Sequence, residues 1–402
     1  MRTLFGWSLI TLLFCSQIMA KTVSEEPLTI GTKLTIESGV LAEQRSILMY
    51  HPDTLETNQK YQVIYLLDAE YMFNATVGIV EALVTSGKIP PTMVVGIETT
   101  VRVRDYLPPI SGEPQSGHQR WTQHKFPAFG GTKNFTQFLQ KELFPYVEQQ
   151  YPVLPTRTLI GYSNGGVFGL HTLVNAPEIF TNYLLISPAA WWGEQEIEQN
   201  LQRFSDSSKS FAGNLYMTVA GEGRGMYSNA LRIAAKLESA APNGLNWRLE
   251  QLPDETHQST IYPSIYQGLP KLFDELNFNV TEQHGKYASI DDVVRYYQTI
   301  SDKYGYSAQI PPRVFSDFAD AQLAQKRQEM ALDTLKRFVS TYPSSSFAYS
   351  SLASGYMQTK EFALAKQNYD KAIEIVKAKN VSDASVLDFL QDMANVAAGQ
   401  IK

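Results

Sequence analysis

The chain of 402 residues carries 34 Lys and Arg against 40 Asp and Glu, a net charge of −6, with 44% hydrophobic and 18% charged residues. That length accommodates more than one domain with a sizeable core, and the composition is that of an ordinary globular protein. A mild acidic balance without a block of either sign argues against a nucleic-acid partner, which calls for a basic stripe along the phosphates.

Residues 1–20 differ from the rest. Arg2 precedes the apolar run Leu4–Phe14, and Ile18-Met19-Ala20 ends on a small residue. This is the pattern of a secretory signal peptide cleaved after Ala20, so export to a periplasm or the medium is expected. The run is shorter than the roughly twenty apolar residues of a membrane span, so none is expected in the mature chain. Cys15 is the single cysteine, and Phe14 stands where a lipoprotein anchor wants a small residue. A mature chain without cysteine has no disulfide, no thiol nucleophile and no cysteine zinc site. No metal or organic cofactor is expected.

From Leu28 to about Leu276 short β-rich runs alternate with helical patterns. Thr29–Glu37 and Arg45–Tyr50 interleave polar and apolar residues and predict a hairpin. Val63–Leu67 and Met93–Ile97 are continuous apolar runs, which suit strands buried on both faces of a parallel sheet. Ala75–Ser86 between them has helical spacing, as does Phe135–Gln150. Thr158–Ile160, Tyr183–Ser187, Leu215–Ala220 and Trp247–Leu252 are further strand candidates. The alternation predicts an α/β fold, a mostly parallel central sheet with helices on both faces. Thr99–Thr132, with Pro108, Pro109, Pro114 and Pro127, breaks the rhythm and reads as a long functional loop.

Beyond about Ile290 the pattern turns all-helical. Tyr349, Leu352, Ala353, Tyr356, Phe362, Ala365, Tyr369 and Ala372 resemble the large and small positions of a tetratricopeptide repeat. One period of about 34 residues earlier stand Phe315, Phe318, Ala319, Ala331, Leu335, Phe338 and Pro343. The expected organisation is a signal peptide over 1–20, a catalytic domain over 21–280, a helical linker over 281–311 and helical repeats over 312–402, Val386–Ala397 capping them. The tail offers a surface for a homodimer or a protein partner.

Gly161-Tyr162-Ser163-Asn164-Gly165 follows one predicted strand and precedes a helical stretch. In a nucleophile elbow the serine sits on a sharp turn, and flanking glycines avoid collisions there. A serine hydroxyl needs a base. His171 falls within the following helix, His51 precedes the catalytic strands and His284 lies in a polar linker. His118 and His124 sit in the long loop, as polar loop residues or as lid contacts to a substrate. His257 follows the last predicted strand, where this fold carries its base. The acid should follow Leu215–Ala220, where Glu222 is the carboxylate of Gly221–Gly225. Asp254 or Glu255 as substitutes, or a dyad without an acid, remain alternatives. An oxyanion hole needs two backbone N–H groups. Asn164 is expected to supply one, and Ala69 or Glu70, in the loop Asp68–Tyr71, the other. Tyr162, Trp191, Trp192 and Arg104 are candidate substrate contacts, with Arg102 and Arg224 as further cations for an anionic or catecholate group.

With these residues in view, the catalytic region resembles the esterase family that includes esterase D and the siderophore (enterochelin) esterases. The resemblance runs through Tyr65–Ala69, Val95-Gly96-Ile97, Arg104–Pro108, Phe129-Gly130-Gly131, Ile160–Gly166, Ile186-Ser187-Pro188, Trp191-Trp192 and Glu255-Thr256-His257. It implies an α/β-hydrolase fold and a serine esterase acting on a small-molecule or acyl ester through Ser163 and His257. The family often carries an aspartate where this chain has Glu222 and Arg224. Acyl transfer to a sugar or similar acceptor is one alternative. A catalytically inert protein that binds through its helical repeats is another.

Overall fold

The structure is a computed structural model that describes residues 24, 26–52, 55, 59–110, 117–125, 127–193, 196–206, 210–223, 225–241, 243–276, 278–280, 287–378 and 384–401. The expected signal peptide, Cys15, Arg224 and His284 lie outside the described residues. Gly31–Lys402 forms one compact unit.

Its centre is an eight-stranded sheet in the order β1-β2-β4-β3-β5-β6-β7-β8. The strands are β1 (Thr32–Ser38), β2 (Glu43–Tyr50), β3 (Tyr61–Leu67), β4 (Thr92–Ile97), β5 (Val153–Tyr162), β6 (Asn182–Ile186), β7 (Ser210–Ala220) and β8 (Asn243–Leu252). β1 pairs antiparallel with β2, and β2 with β4; every other pairing is parallel. β3, β4 and β6 are buried along their whole length. The two-residue side-chain period then sends alternate residues to opposite cores. Val63, Tyr65 and Leu67 enter one core, while Ile64 and Leu66 enter the other.

The first core is covered by α2 (Arg102–Tyr106), α4 (Thr132–Phe138), α5 (Phe144–Gln150), α6 (Asn164–Asn175), α7 (Glu196–Asp206) and α8 (Gly225–Ala240). α4 runs into α5 through a wider turn at Leu139–Leu143, next to Pro145, which lacks an N–H for the ladder. α3 (Gly117–Lys125) precedes α4. The second core lies under α1 (Ala69–Thr85) and α9 (Ile261–Leu272). It continues through α10 (Ile290–Tyr304) and α11 (Pro312–Ala324) to Phe338 of α12 (Gln328–Thr341) and Ala348 of α13 (Ser346–Gln358). The helical part therefore shares its apolar interior with the sheet. α14 (Phe362–Ala378) and α15 (Ala384–Gln400) extend it, each packed on its predecessor. Most positions picked out by the 34-residue period are buried, Tyr349 and Phe362 only partly, and the rings of Phe315 and Phe338 stack at 5.1 Å.

Three expectations are corrected. α1 begins at Ala69, not Ala75, because Asp68 alone turns the chain in a left-handed conformation (φ 55°, ψ 40°). The expected loop Asp68–Tyr71 is thus a single residue followed by helix. The long segment Thr99–Thr132 contains α2 and α3, too short or too polar for periodicity to reveal. Among the described residues, no helix is long and apolar enough to cross a membrane.

Candidate active site

β5 ends at Tyr162 and α6 starts at Asn164, so Ser163 alone makes the turn, with φ 55° and ψ −110°. Few side chains tolerate that backbone, and it costs on the order of 1–3 kcal/mol. The crowding explains Gly161: a Cβ there would lie 2.3 Å from the carbonyl oxygen of Gly165. The strained turn is held by its neighbours. Ser163 N–H donates to the Ile186 carbonyl (2.9 Å), and the Ser163 carbonyl accepts from Val167 and Ala189 (3.1 Å each).

His257 stands between β8 and α9, with Nε2 3.1 Å from Ser163 Oγ. Its Nδ1 lies 2.7 Å from Glu222 Oε2, at an angle that departs from a straight hydrogen bond. If Oγ–H donates to Nε2, the ring proton sits on Nδ1, toward the carboxylate. Glu222 Oε1 accepts from Ser187 Oγ at 2.6 Å, and Ser187 Oγ accepts from the Ala220 N–H at 3.2 Å. Burial pushes the Glu222 carboxyl up, but the imidazole of His257 close beside it and the bond from Ser187 outweigh burial and hold the carboxyl below its ordinary range. The loops of acid and base are joined: Gly221 N–H donates to the Glu255 carbonyl at 2.9 Å, and a Cβ on Gly221 would lie 2.1 Å from the Pro253 carbonyl oxygen. Among the described residues, Glu222 is the carboxylate against His257; Asp254 is exposed and Glu255 contributes its backbone.

Two helices begin beside the serine. Asn164 opens α6 and Ala69 opens α1, and the N–H groups at a helix start have no partner within the helix. The two starts adjoin, since a Cβ on Gly165 would lie 3.3 Å from Leu67 Cδ1 and 3.6 Å from Asp68 Oδ2. Both helices present their positive ends there. The Glu70 side chain is engaged elsewhere, accepting from Thr99 Oγ1 (2.6 Å) and Thr99 N–H (3.2 Å). A serine hydroxyl beside an imidazole, a carboxylate behind that ring and two adjoining helix starts form the kind of arrangement that can attack a carbonyl carbon and stabilise negative charge. Among the described residues, no group of three His, Cys, Asp or Glu side chains is placed to hold a metal ion.

The expected substrate contacts divide. Tyr162 is buried with its ring 4.8 Å from that of His257, so it packs against the base. Trp191 is half-buried at the margin of the first core. Trp192 is a core residue, 2% exposed, with Nε1 donating to the Pro108 carbonyl at 2.9 Å and its ring against Phe129. Arg104 is also committed elsewhere, donating to both oxygens of Glu43 (2.7 and 3.0 Å) and to Asp105 (2.8 Å). The arginine at the elbow is Arg102, which bonds Asp68 and the Tyr162 carbonyl. The expectation that favoured Arg104 is corrected, because Arg104 is taken up by Glu43 and Asp105 while Arg102 faces Asp68 and the elbow. Ser187, which supports Glu222, stands directly after β6 at the carboxyl edge of the sheet, and that position was its signal in the sequence.

Of the other histidines, His124 is exposed and His51 Nδ1 lies 2.9 Å from the Pro52 carbonyl oxygen, while the side chain of His118 is outside the described residues. His171 on α6 has Nδ1 3.2 Å from Asn175 Nδ2, and burial lowers its imidazole from 6.5 to about 4. Between those values the unfolded chain binds a proton that the native chain does not. Stability from this group is therefore full above about pH 6.5 and falls toward pH 4, by up to about 3 kcal/mol. Urea unfolding at pH 7 and pH 4.5 should show a smaller acid loss in His171→Gln than in wild type.

Residues 38–219 match the family described as Putative esterase. The chain is 28% identical over 235 residues to a ferri-bacillibactin esterase from Bacillus subtilis, an alignment covering 54% of this chain and 80% of that protein. An IroE-like serine hydrolase from Shewanella oneidensis, known as a crystal structure, superposes with a TM-score of 0.59 at 25% identity, covering 77% of this chain and 99% of that one. An uncharacterised protein from Capnocytophaga ochracea superposes over 92% of this chain and 99% of its own, with a TM-score of 0.60 at 18% identity, a likeness of fold alone that extends into the helical part.

Proposed function

We propose, on the support these likenesses give to the esterase family and to an ester hydrolase, that the chain cleaves carboxylic esters through an acyl-enzyme on Ser163. The observation that carries the reading is the row of Ser163 Oγ, the His257 ring and the Glu222 carboxylate, with gaps of 3.1 and 2.7 Å. Ser163 Oγ attacks the ester carbonyl while His257 Nε2 takes its proton. Glu222 orients the ring and stabilises the imidazolium. The oxyanion is held by the N–H groups of Asn164 and Ala69, with Glu70 next in line on the same helix start. His257 returns its proton to the leaving alcohol, and water then releases the acyl group by the same path. The substrate is of the siderophore-ester kind, as the name of the Bacillus subtilis relative suggests.

The test is turnover of p-nitrophenyl acetate and butyrate, followed by siderophore, feruloyl and acyl-sugar esters. Glu222→Gln is expected to lower kcat by roughly 10²–10⁴, because an amide donor facing Nδ1 selects the wrong imidazole tautomer. A Gln variant with wild-type kcat would remove Glu222 from the row.

The remaining readings are of organisation. The run Leu4–Phe14 with Ala20 supports export. Paired helices with small residues such as Ala319, Ala353 and Ala365 buried between them support two tetratricopeptide-like repeats over 312–402, after a catalytic domain over 21–280 and a linker over 281–311. The shared second core supports a tail that braces the hydrolase.

A further inference from the structure

We infer that Arg102 and Asp68 form a positioning clamp that sets the spacing between the two walls of the oxyanion site, a role that rests on the serine-hydrolase reading above. One wall is the start of α1, where Asp68 alone separates β3 from Ala69. The other is the peptide between Tyr162 and Ser163. Arg102 Nε donates to Asp68 Oδ1 at 2.8 Å and its Nη2 to Oδ2 at 2.9 Å, a fork that fixes the carboxylate in plane and direction. The same Nη2 donates to the Tyr162 carbonyl at 2.9 Å. One guanidinium thus holds both walls.

Each wall is secured from a second side. Asp68 N–H donates to the Tyr106 hydroxyl at 3.3 Å, and Thr99, whose hydroxyl donates to Glu70, packs its Oγ1 3.3 Å from Asp68 Oδ1. The peptide before Ser163 has its carbonyl on Arg102 and its N–H on the Ile186 carbonyl, so it cannot rotate freely. Residues at φ 55° on both walls, Asp68 and Ser163, persist only where surrounding bonds impose them. The pair is also a poor device for stability as such. Asp68 is fully buried, and burial raises its carboxyl despite the arginine beside it. Desolvation of that kind tends to offset the attraction between the charges. What the pair supplies is geometry, the relative placement of the Ala69 and Asn164 N–H groups around an oxyanion.

Wild type, Arg102→Lys, Asp68→Asn and the double variant would be compared in the full chain. Four quantities would be read: kcat and KM for p-nitrophenyl butyrate, the rate of Ser163 phosphonylation by a small fluorophosphonate, and Tm. A lysine keeps the charge but not the fork, and the asparagine is isosteric, so it keeps the test open if Arg102→Lys does not fold. For a clamp, each single change lowers kcat and the phosphonylation rate by about a hundredfold, as a misplacement near 1 Å would, while KM stays within about twofold. The double variant is then no worse than either single one, since one device has been removed once. A raised KM with intact kcat would make Arg102 a substrate contact and overturn the clamp, as would independent losses that multiply in the double variant. An active wild type with unaffected variants overturns the clamp alone. A wild type inert to both ester and fluorophosphonate overturns the serine-hydrolase reading and the clamp with it.

Discussion

Ser163→Ala is expected to lower p-nitrophenyl butyrate turnover by about 10⁴-fold or more, leaving the residue that binding and oxyanion donors supply without a nucleophile. The same change abolishes labelling by a fluorophosphonate. Retained turnover in the alanine variant would place the ester chemistry elsewhere. The backbone adds a second readout. At φ 55° an alanine inherits the strain of the serine, whereas glycine does not. Ser163→Gly should therefore be as inactive as Ser163→Ala yet more stable by about 1 kcal/mol in urea unfolding. A glycine variant no more stable than the alanine one would mean that the turn stores no strain.

The largest loss of stability is expected at Arg45, on β2. Its side chain is fully buried and donates to Asp105 and to Thr100 Oγ1 (3.2 Å), lies 2.9 Å from a Glu43 oxygen, and sits over the rings of Phe135 and Phe138. Arg104 adds a second cation to the same two carboxylates, and its bond to Glu43 comes first among the causes that hold that carboxyl below its ordinary range. Arg45→Met keeps volume but leaves the buried Asp105 with Arg104 alone, and should cost about 3–5 kcal/mol in urea unfolding. Adding Asp105→Asn should recover part of that loss, because the buried carboxylate then held by Arg104 alone is replaced by a neutral amide. Failure to recover it would assign the cost to packing on Phe135 and Phe138. The cluster adjoins the site through α2, the short helix that carries both Asp105 and Arg102.

The strands of this protein were legible because burial on both faces demands unbroken apolar runs: Val63–Leu67 and Met93–Ile97 lie wholly within β3 and β4. Helix periodicity was legible where a face meets the core, as in Phe135–Gln150, and failed where a helix starts for other reasons. Ala69, Met72 and Phe73 already stand at helical spacing and are buried, but the start of their helix is set by Asp68, which turns the chain back at once from the end of β3. α2 is a five-residue helix held by ion pairs, which leave no period to read.

At the site, the local motif around Ser163 carries its own geometry in the spacing of its glycines, so the elbow could be read one residue at a time. His257 could be placed by its position after the last strand. The carboxylate could not, since Glu222, Asp254 and Glu255 are equivalent as letters. Only the pairing of β7 with β8, which sets the two loops side by side, brings Glu222 against Nδ1. The fates of Arg102 and Arg104 are a sharper case. Two residues apart on one short helix, one reaches the elbow and the other a distant ion cluster, because α2 lies between β2 and the start of α6. Chain order determined the sheet and the places of Ser163 and His257 at its carboxyl edge; charge pairing across elements far apart in sequence was decided by tertiary structure, since a buried charge takes its partner from whatever packs beside it.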